Sequence, residues 1–351
     1  MRRIERLWWG TARTDRAARA ALTPLELLYS GVVAARGFLY DTGVLRSRIG
    51  ALPALSIGNL SVGGTGKTPL AAWAAAELAR RGAHPAIVLR GYGDDEPLVH
   101  AALNPDLPVV VSVDRVAGMD RARVLGADVA VLDDAFQHRR ARRDADIVLV
   151  SAERWTARPR LLPAGPWREP LSALRRASHV VITRKSAGED VAATARRELE
   201  TIVRGVPIST VHLRPEALRS ATGPETRALD TLDGAQVRAI AGIGNPEAFF
   251  EQLRATGARV APSPWPDHHH FTSEEISRIA LGAMTITDLV VCTLKDAVKL
   301  GPHWPRQAPP LWYVSQRVVV EDGAAALADL LDSLVAARGS HPSIAGGRRP
   351  T

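Results

Sequence analysis

From Pro53 onward, short apolar runs alternate with stretches whose apolar residues recur at helical spacing. The runs Ala54–Ile57, Ala86–Leu89, Val109–Ser112, Val129–Leu132, Asp146–Val150, His179–Thr183 and Ser209–Leu213 predict strands. Their alternation with helices argues for a parallel α/β sheet. Residues Arg219–Gly234 are polar and turn-rich, with Gly223-Pro224 and Asp233-Gly234, and mark a joint. A second, smaller α/β unit is expected beyond it, with strands near Ala239–Ile243, Leu289–Thr293 and Trp312–Val314. Its helices carry start signals: Asn245 before Pro246 with Gly257 past the end, and the capping-box pair Thr272 and Glu275.

The first fifty residues read as helical and amphipathic. Trp8 and Trp9 lie beside Arg2, Arg3 and Arg6, and after Pro24 the set Leu25, Leu28, Val32, Val33, Ala35 and Leu39 falls near helical spacing. Such a segment suits a membrane interface, and equally an ordinary helix packed on the body of the protein. The expected organisation is therefore an amphipathic segment over 1–45, a nucleotide-binding domain over 46–220, a smaller α/β domain over 235–337 and a disordered Gly/Pro/Ser/Arg tail over 339–351.

Composition narrows the function classes. The chain has 351 residues and a net charge of +8, of which the first fifty residues carry nine arginines against four carboxylates. The remainder is nearly balanced and shows no basic face interleaved with aromatics, so a nucleic-acid partner is not expected. A single cysteine, Cys292, excludes an internal disulfide and a thiolate zinc site. No apolar run reaches the roughly 18–20 residues of a spanning helix, and charges interrupt any signal-peptide core. Only four of the basic side chains are lysines, at 67, 185, 295 and 299, which makes each lysine conspicuous.

The segment Ser61-Val62-Gly63-Gly64-Thr65-Gly66-Lys67-Thr68 directly follows the strand Ala54–Ile57. Glycines let successive amides close around phosphate oxygens, and a following helix adds the positive end of its dipole. Lys67 would reach the β and γ phosphates of a nucleotide, and the Thr68 hydroxyl would ligate Mg²⁺. Ser61 stands where the usual pattern has a glycine. Val129–Leu132 ends in Asp133 and Asp134, the form of a strand that holds Mg²⁺ in phosphate-loop enzymes, with Gln137 and His138 close behind. Three histidines at 268–270 point in different directions and cannot share one ion; a single one after Pro266-Asp267 suits acid–base chemistry. Asp94–Pro97 reads as a solvated turn, Arg168 in its Pro/Gly loop as an anion contact or a surface loop, and Cys292 as core.

Taken together, the segments resemble the tetraacyldisaccharide 4′-kinase family. The resemblance runs from Ile4–Trp9 through Leu45-Arg46-Ser47, Gly58–Pro69, Arg90–Gly93, Asp95–Pro97, Asp133–His138 and Leu162–Pro170 to Gly242–Pro246, Pro266–His269 and Lys295–Lys299. Ser61 fits this family's loop. The chain departs from the pattern at Leu294, where the family is usually acidic, and in the short segment between Gly93 and Asp95.

The resemblance implies an α/β fold, with a P-loop NTPase-like parallel sheet core, a smaller α/β domain and an N-terminal amphipathic helix. It implies ATP-dependent phosphorylation of a lipid-linked glucosamine disaccharide 1-phosphate at its 4′-hydroxyl, at the cytoplasmic face of the bacterial inner membrane. Asp95 then matches the catalytic aspartate and His268 its partner, with Arg168 and Arg115 on phosphate charge and Tyr92 and Gln137 as nearby contacts. Two alternatives stay open: a phosphate-loop kinase with another lipid or sugar acceptor, and a nucleotide-dependent switch, which needs no Asp95–His268 pair.

Overall fold

The computed structural model describes residues 3–91, 93–284 and 289–340. The chain forms two compact units: Met1–Gly91, Asn104–Leu213 and Val318–Thr351 make the first, and Tyr92–Leu103 with Arg214–Arg317 the second.

The first unit is built on a parallel sheet. Its strands are β1 (Ala54–Asn59), β2 (Pro85–Leu89), β3 (Val109–Val111), β4 (Val129–Asp133), β5 (Ala145–Ser151), β6 (His179–Arg184) and the first half of β7 (Ile208–Ser220), in the order β7-β6-β5-β1-β4-β2-β3. β1 runs parallel to both β4 and β5, with Ile57 level with Asp133 on one side and Ile147 on the other. Every residue of β1, β2, β4 and β6 is buried. Strands covered by helices on both faces carry apolar residues continuously rather than alternately, which is how they stand out in the sequence.

Three helices precede the sheet: α1 (Arg3–Trp9), α2 (Arg13–Ala21) and α3 (Thr23–Asp41). The helix after the glycine-rich segment is α4 (Lys67–Arg80), whose buried residues Leu70, Ala71, Ala74, Ala75 and Leu78 recur at helical spacing. Alanines let it approach the sheet closely, and burying Leu70 and Leu78 contributes about 1.5–3 kcal/mol each. Gly82, at φ +78°, ends it by supplying the left-handed turn a side chain resists.

α3 anchors to the first unit along one side. The Tyr29 hydroxyl donates to the carbonyl of Arg168 at 3.1 Å, and Arg36 to that of Gln137 at 2.9 Å. Glu26 accepts from Arg160 Nε at 2.9 Å and from the Leu161 amide at 2.7 Å. The apolar residues Leu25, Leu28, Val32, Ala35 and Leu39 lie on the other side, with Leu28 66% and Val32 59% exposed. No residue of α3 is buried.

In the second unit β9 (Gln236–Ala241), β10 (Arg259–Pro264), β11 (Leu289–Cys292) and the first half of β12 (Leu311–Asp322) lie in the order β10-β9-β11-β12, and the last half of β7 pairs antiparallel with the short β8 (Thr226–Arg227). The described helices here include α5 (Asp95–Leu103), Pro246–Arg254, Ser273–Ala283 and Leu294–Leu300. Thr272 and Glu275 form the expected reciprocal cap, and the Asn245 side chain accepts from the Ala248 amide. β10 carries two prolines, Pro262 and Pro264, and is mostly exposed at the end of the order, the one place a sheet tolerates missing amide donors. Residues 341–351, which hold most of the expected tail, lie outside the described residues.

Candidate active site

In the first unit, β1 delivers the chain to the glycine-rich loop. Ser61 bridges antiparallel to Trp167, and the Val62 amide donates to Pro166 at 2.7 Å, so the Pro/Gly loop braces the phosphate loop from outside. Val62, Gly63 and Gly64 are exposed, and Thr65 is buried. The Asn59 amide donates to Thr65 Oγ at 2.8 Å, and Thr183 at the end of β6 donates to the Thr65 carbonyl at 2.8 Å. Gly63 (φ +117°) and Gly66 (φ +89°) supply backbone angles closed to other residues. Gly66 caps α4 with no side-chain acceptor, which leaves the amides of the first turn directed at whatever anion the loop surrounds.

Lys67 opens α4. Its Nζ lies 3.3 Å from Asn59 Oδ1 and 3.7 Å from Asp134 Oδ1. Arg168 reaches the same Asp134 carboxylate at 3.3 Å and Gln137 Oε1 at 3.3 Å, while Gln137 donates to the Asn59 carbonyl at 2.8 Å. Asp134 sits at φ +49°, a left-handed angle that aspartate tolerates better than most residues, as the chain turns off β4. Asp133, the last residue of β4, is buried. Thr68 is the second residue of α4. Thr68, Asp133 and Asp134 carry oxygen ligands, the type a hard divalent cation takes.

Arg115 is directed at main-chain carbonyls: Ser112 at 2.7 Å and Asp133 at 3.4 Å. It is buried and steadies the end of β4. Burial, aided by Arg115, holds the His138 imidazole below its ordinary pKa. Asn59, Thr183 and Lys185, whose Nζ donates to the Gly64 carbonyl at 2.9 Å, were not singled out as loop contacts from the sequence. For Asn59 a signal existed, since it falls inside the motif Gly58–Pro69; for Lys185 it was the scarcity of lysine.

The second unit holds the other chemistry. Asp95 is the first residue of α5 and is 3% exposed. His268 Nδ1 lies 2.9 Å from Asp95 Oδ1, and the imidazole reaches there because His268 adopts φ +56°. Its amide donates to the Gly242 carbonyl at 3.2 Å. Gly93, at φ +90°, is obligatory, since a Cβ there would lie 2.7 Å from His268 Nδ1 and 2.8 Å from Asp95 Oδ1. His269 instead bonds Glu275 at 3.0 Å and packs against Trp265 and Phe271, and His270 is exposed. Burial pushes the Asp296 carboxyl up from its ordinary range, opposed by hydrogen bonds from Thr293 and the Gly242 amide and by Lys299. Tyr92 lies outside the described residues. Among the described residues, no helix is long and apolar enough to cross a membrane.

A glycine loop opening a helix behind a parallel strand, with lysine, arginine and a strand-end carboxylate pair around it, defines a phosphate-loop enzyme. The family model described as tetraacyldisaccharide-1-P 4′-kinase matches residues 18–95 and 93–336. The tetraacyldisaccharide 4′-kinase of Halorhodospira halophila is 39% identical over 91% of this chain and 95% of its own length. That of an Anaeromyxobacter strain is 37% identical over 85% and 88%. The structure of LpxK from Aquifex aeolicus in complex with ATP superposes with a TM-score of 0.72 at 29% identity, covering 90% of this chain and 99% of that one. The chain belongs to the tetraacyldisaccharide 4′-kinase family, and is an ATP-dependent kinase of lipid A biosynthesis.

Proposed function

We propose that Asp95 is the base that removes the proton from the 4′-hydroxyl of tetraacyldisaccharide 1-phosphate as the γ-phosphoryl group of ATP is transferred to that oxygen. A bond forms between the acceptor oxygen and the γ-phosphorus, the bond to the β-phosphate oxygen breaks, and ADP and lipid IVA result. The observation that carries this reading is the Asp95–His268 pair at 2.9 Å, held by a histidine in a left-handed turn. A carboxylate oriented by one imidazole is held in place to act as a general base.

The remaining residues divide the charge. The loop Ser61, Val62, Gly63, Gly64, Thr65 and Gly66 surrounds the ATP phosphates, with the Val62 and Thr65 amides held by Pro166 and Gly63 and the remaining loop amides turned to the phosphates, and Lys67 pairs with them. Arg168 stabilises the charge spread over the moving phosphoryl group, with Gln137 fixing its guanidinium. Thr68, Asp133 and Asp134 would hold Mg²⁺, which when bound neutralises charge on the phosphate oxygens. The Lys67–Asp134 and Arg168–Asp134 approaches support this division, because both cations converge on the carboxylate beside the phosphate loop.

The lipid acceptor brings the chain to a membrane surface. The outward Leu25, Leu28, Val32 and Leu39 of α3, together with the arginines of the first fifty residues, support peripheral attachment to an anionic leaflet at the cytoplasmic face of the inner membrane. The test is transfer of label from γ-labelled ATP to purified tetraacyldisaccharide 1-phosphate in mixed micelles, with wild type beside Asp95→Ala and His268→Ala. Transfer by the wild type with near loss in Asp95→Ala is expected. Transfer that survives Asp95→Ala removes Asp95 as the base.

A further inference from the structure

The motif Lys295–Lys299 has no part in the chemistry above, yet one of its lysines reaches the dyad. We infer that Lys299 is the counter-ion and positioning residue of Asp95, anchored by Asp296; the inference rests on Asp95 being the base. Asp95 Oδ1 is taken by His268, whereas Oδ2 is buried and has no hydrogen-bond partner among the described residues. Lys299 Nζ lies 4.0 Å from that oxygen and 3.6 Å from Asp296 Oδ1, and donates to the His269 carbonyl at 3.1 Å. One ammonium therefore faces two buried carboxylates and also holds the residue next to His268.

Its own setting is rigid. The Lys299 side chain is 13% exposed, its ammonium lies 5.4 Å from the centre of the Phe271 ring, and Asp296 is fully buried. Asp296 Oδ2 accepts from the Gly242 amide at 3.0 Å and from Thr293 Oγ at 2.6 Å. Gly242 in turn accepts the His268 amide through its carbonyl. A Cβ on Gly242 would lie 2.8 Å from Asp296 Oδ1, so the backbone passes bare between the anchor and the dyad. The loop of contacts closes: Asp95 to His268, His268 to Gly242, Gly242 to Asp296, Asp296 to Lys299 and Lys299 back to Asp95.

A buried carboxylate stays ionised when an opposite charge stands near it, and a base must be ionised to accept a proton. The transferred proton moves from the acceptor hydroxyl to Asp95. The compact ammonium, with three donors at tetrahedral angles, suits two carboxylate oxygens and a carbonyl better than a planar guanidinium does. In a chain that otherwise uses arginine for nearly every cation, lysine at this position is accounted for.

The experiment compares Lys299→Met, Asp95→Asn and the double variant in the micelle transfer assay, with kcat and KM for ATP measured separately. Lys299→Met should lower kcat at least 30-fold with KM for ATP within two-fold of wild type, and the double variant should be no slower than Asp95→Asn alone. Lys299→Cys, alkylated with 2-bromoethylamine to restore an ammonium, should recover activity in the same folded sample; the buried Cys292 is shielded from the reagent. A kcat within three-fold of wild type for Lys299→Met, losses that multiply in the double variant, or no recovery on alkylation would each overturn the inference while leaving Asp95 as base. If Asp95→Asn itself transfers phosphate normally, the base assignment fails and this inference falls with it.

Discussion

Lowering the pH from 7 to 4 should cost the first unit about 3 kcal/mol through one histidine. His179 begins β6 and is fully buried. Its Nε2 lies 2.7 Å from Ser209 Oγ, and that hydroxyl donates its proton to the Gly323 carbonyl at 2.9 Å. With the serine proton committed, Nε2 must carry the imidazole proton, and Nδ1 is buried without a hydrogen-bond partner among the described residues. Charging the ring would place a second N–H where nothing accepts it. Burial first, and then the charge of Arg196, hold the pKa down to about 4. In the unfolded chain the same group titrates near ~6.5, and the difference at ~1.4 kcal/mol per pH unit amounts to about 3.5 kcal/mol in full, of which about 3 kcal/mol is lost by pH 4. The sign follows from proton counting: between these values the unfolded chain binds the extra proton, so the contribution is complete above pH 6.5 and is lost as pH falls toward 4. Urea unfolding of wild type and His179→Gln at half-unit steps from pH 7 to 4 measures it, since the glutamine amide can still donate to Ser209. Wild type should lose about 3 kcal/mol more than the variant across that range. Parallel stability curves for the two proteins would refute the assignment.

Gly66→Ala forces a side chain onto a φ of +89° and drives its Cβ into Leu213 Cδ1. The backbone strain alone is worth about 1–2 kcal/mol, so calorimetry should find ATP binding at least ten-fold weaker, and an unchanged Kd would count against the loop geometry. Asp133→Asn should raise the Mg²⁺ concentration for half-maximal transfer about ten-fold, with EDTA abolishing transfer by wild type; superimposable Mg²⁺ titrations would remove Asp133 from the metal site. Leu28→Glu combined with Val32→Glu should abolish co-sedimentation with phosphatidylglycerol-containing vesicles while ATP binding is retained. Undiminished sedimentation would mean that α3 is not the membrane contact.

What could be read from the sequence was what depends on neighbours along the chain. The phosphate loop, α4 and the end of β4 are contiguous motifs, and Lys67 and Asp134 meet because parallel strands β1 and β4 lie side by side with their ends level. β10 escaped because Pro262 and Pro264 argue against a strand anywhere except at an edge, and edge position is a property of the sheet. The stripe Leu25, Leu28, Val32 and Leu39 was visible, but its direction was not: spacing defines a face without saying whether protein covers it, and the polar anchors Tyr29, Glu26 and Arg36 decide that. The dyad lies further still from local inference. Asp95 and His268 stand 173 positions apart, and nothing in either segment alone distinguishes a base from a solvated turn. Family resemblance linked them, and only the folded chain shows that the helix Leu294–Leu300 brings a lysine to the free edge of the same carboxylate. Burial explains why that third partner had to be charged. Two carboxylates, Asp95 and Asp296, are withdrawn from water in one small unit, and a cation between them offsets a desolvation cost that backbone donors alone meet only in part.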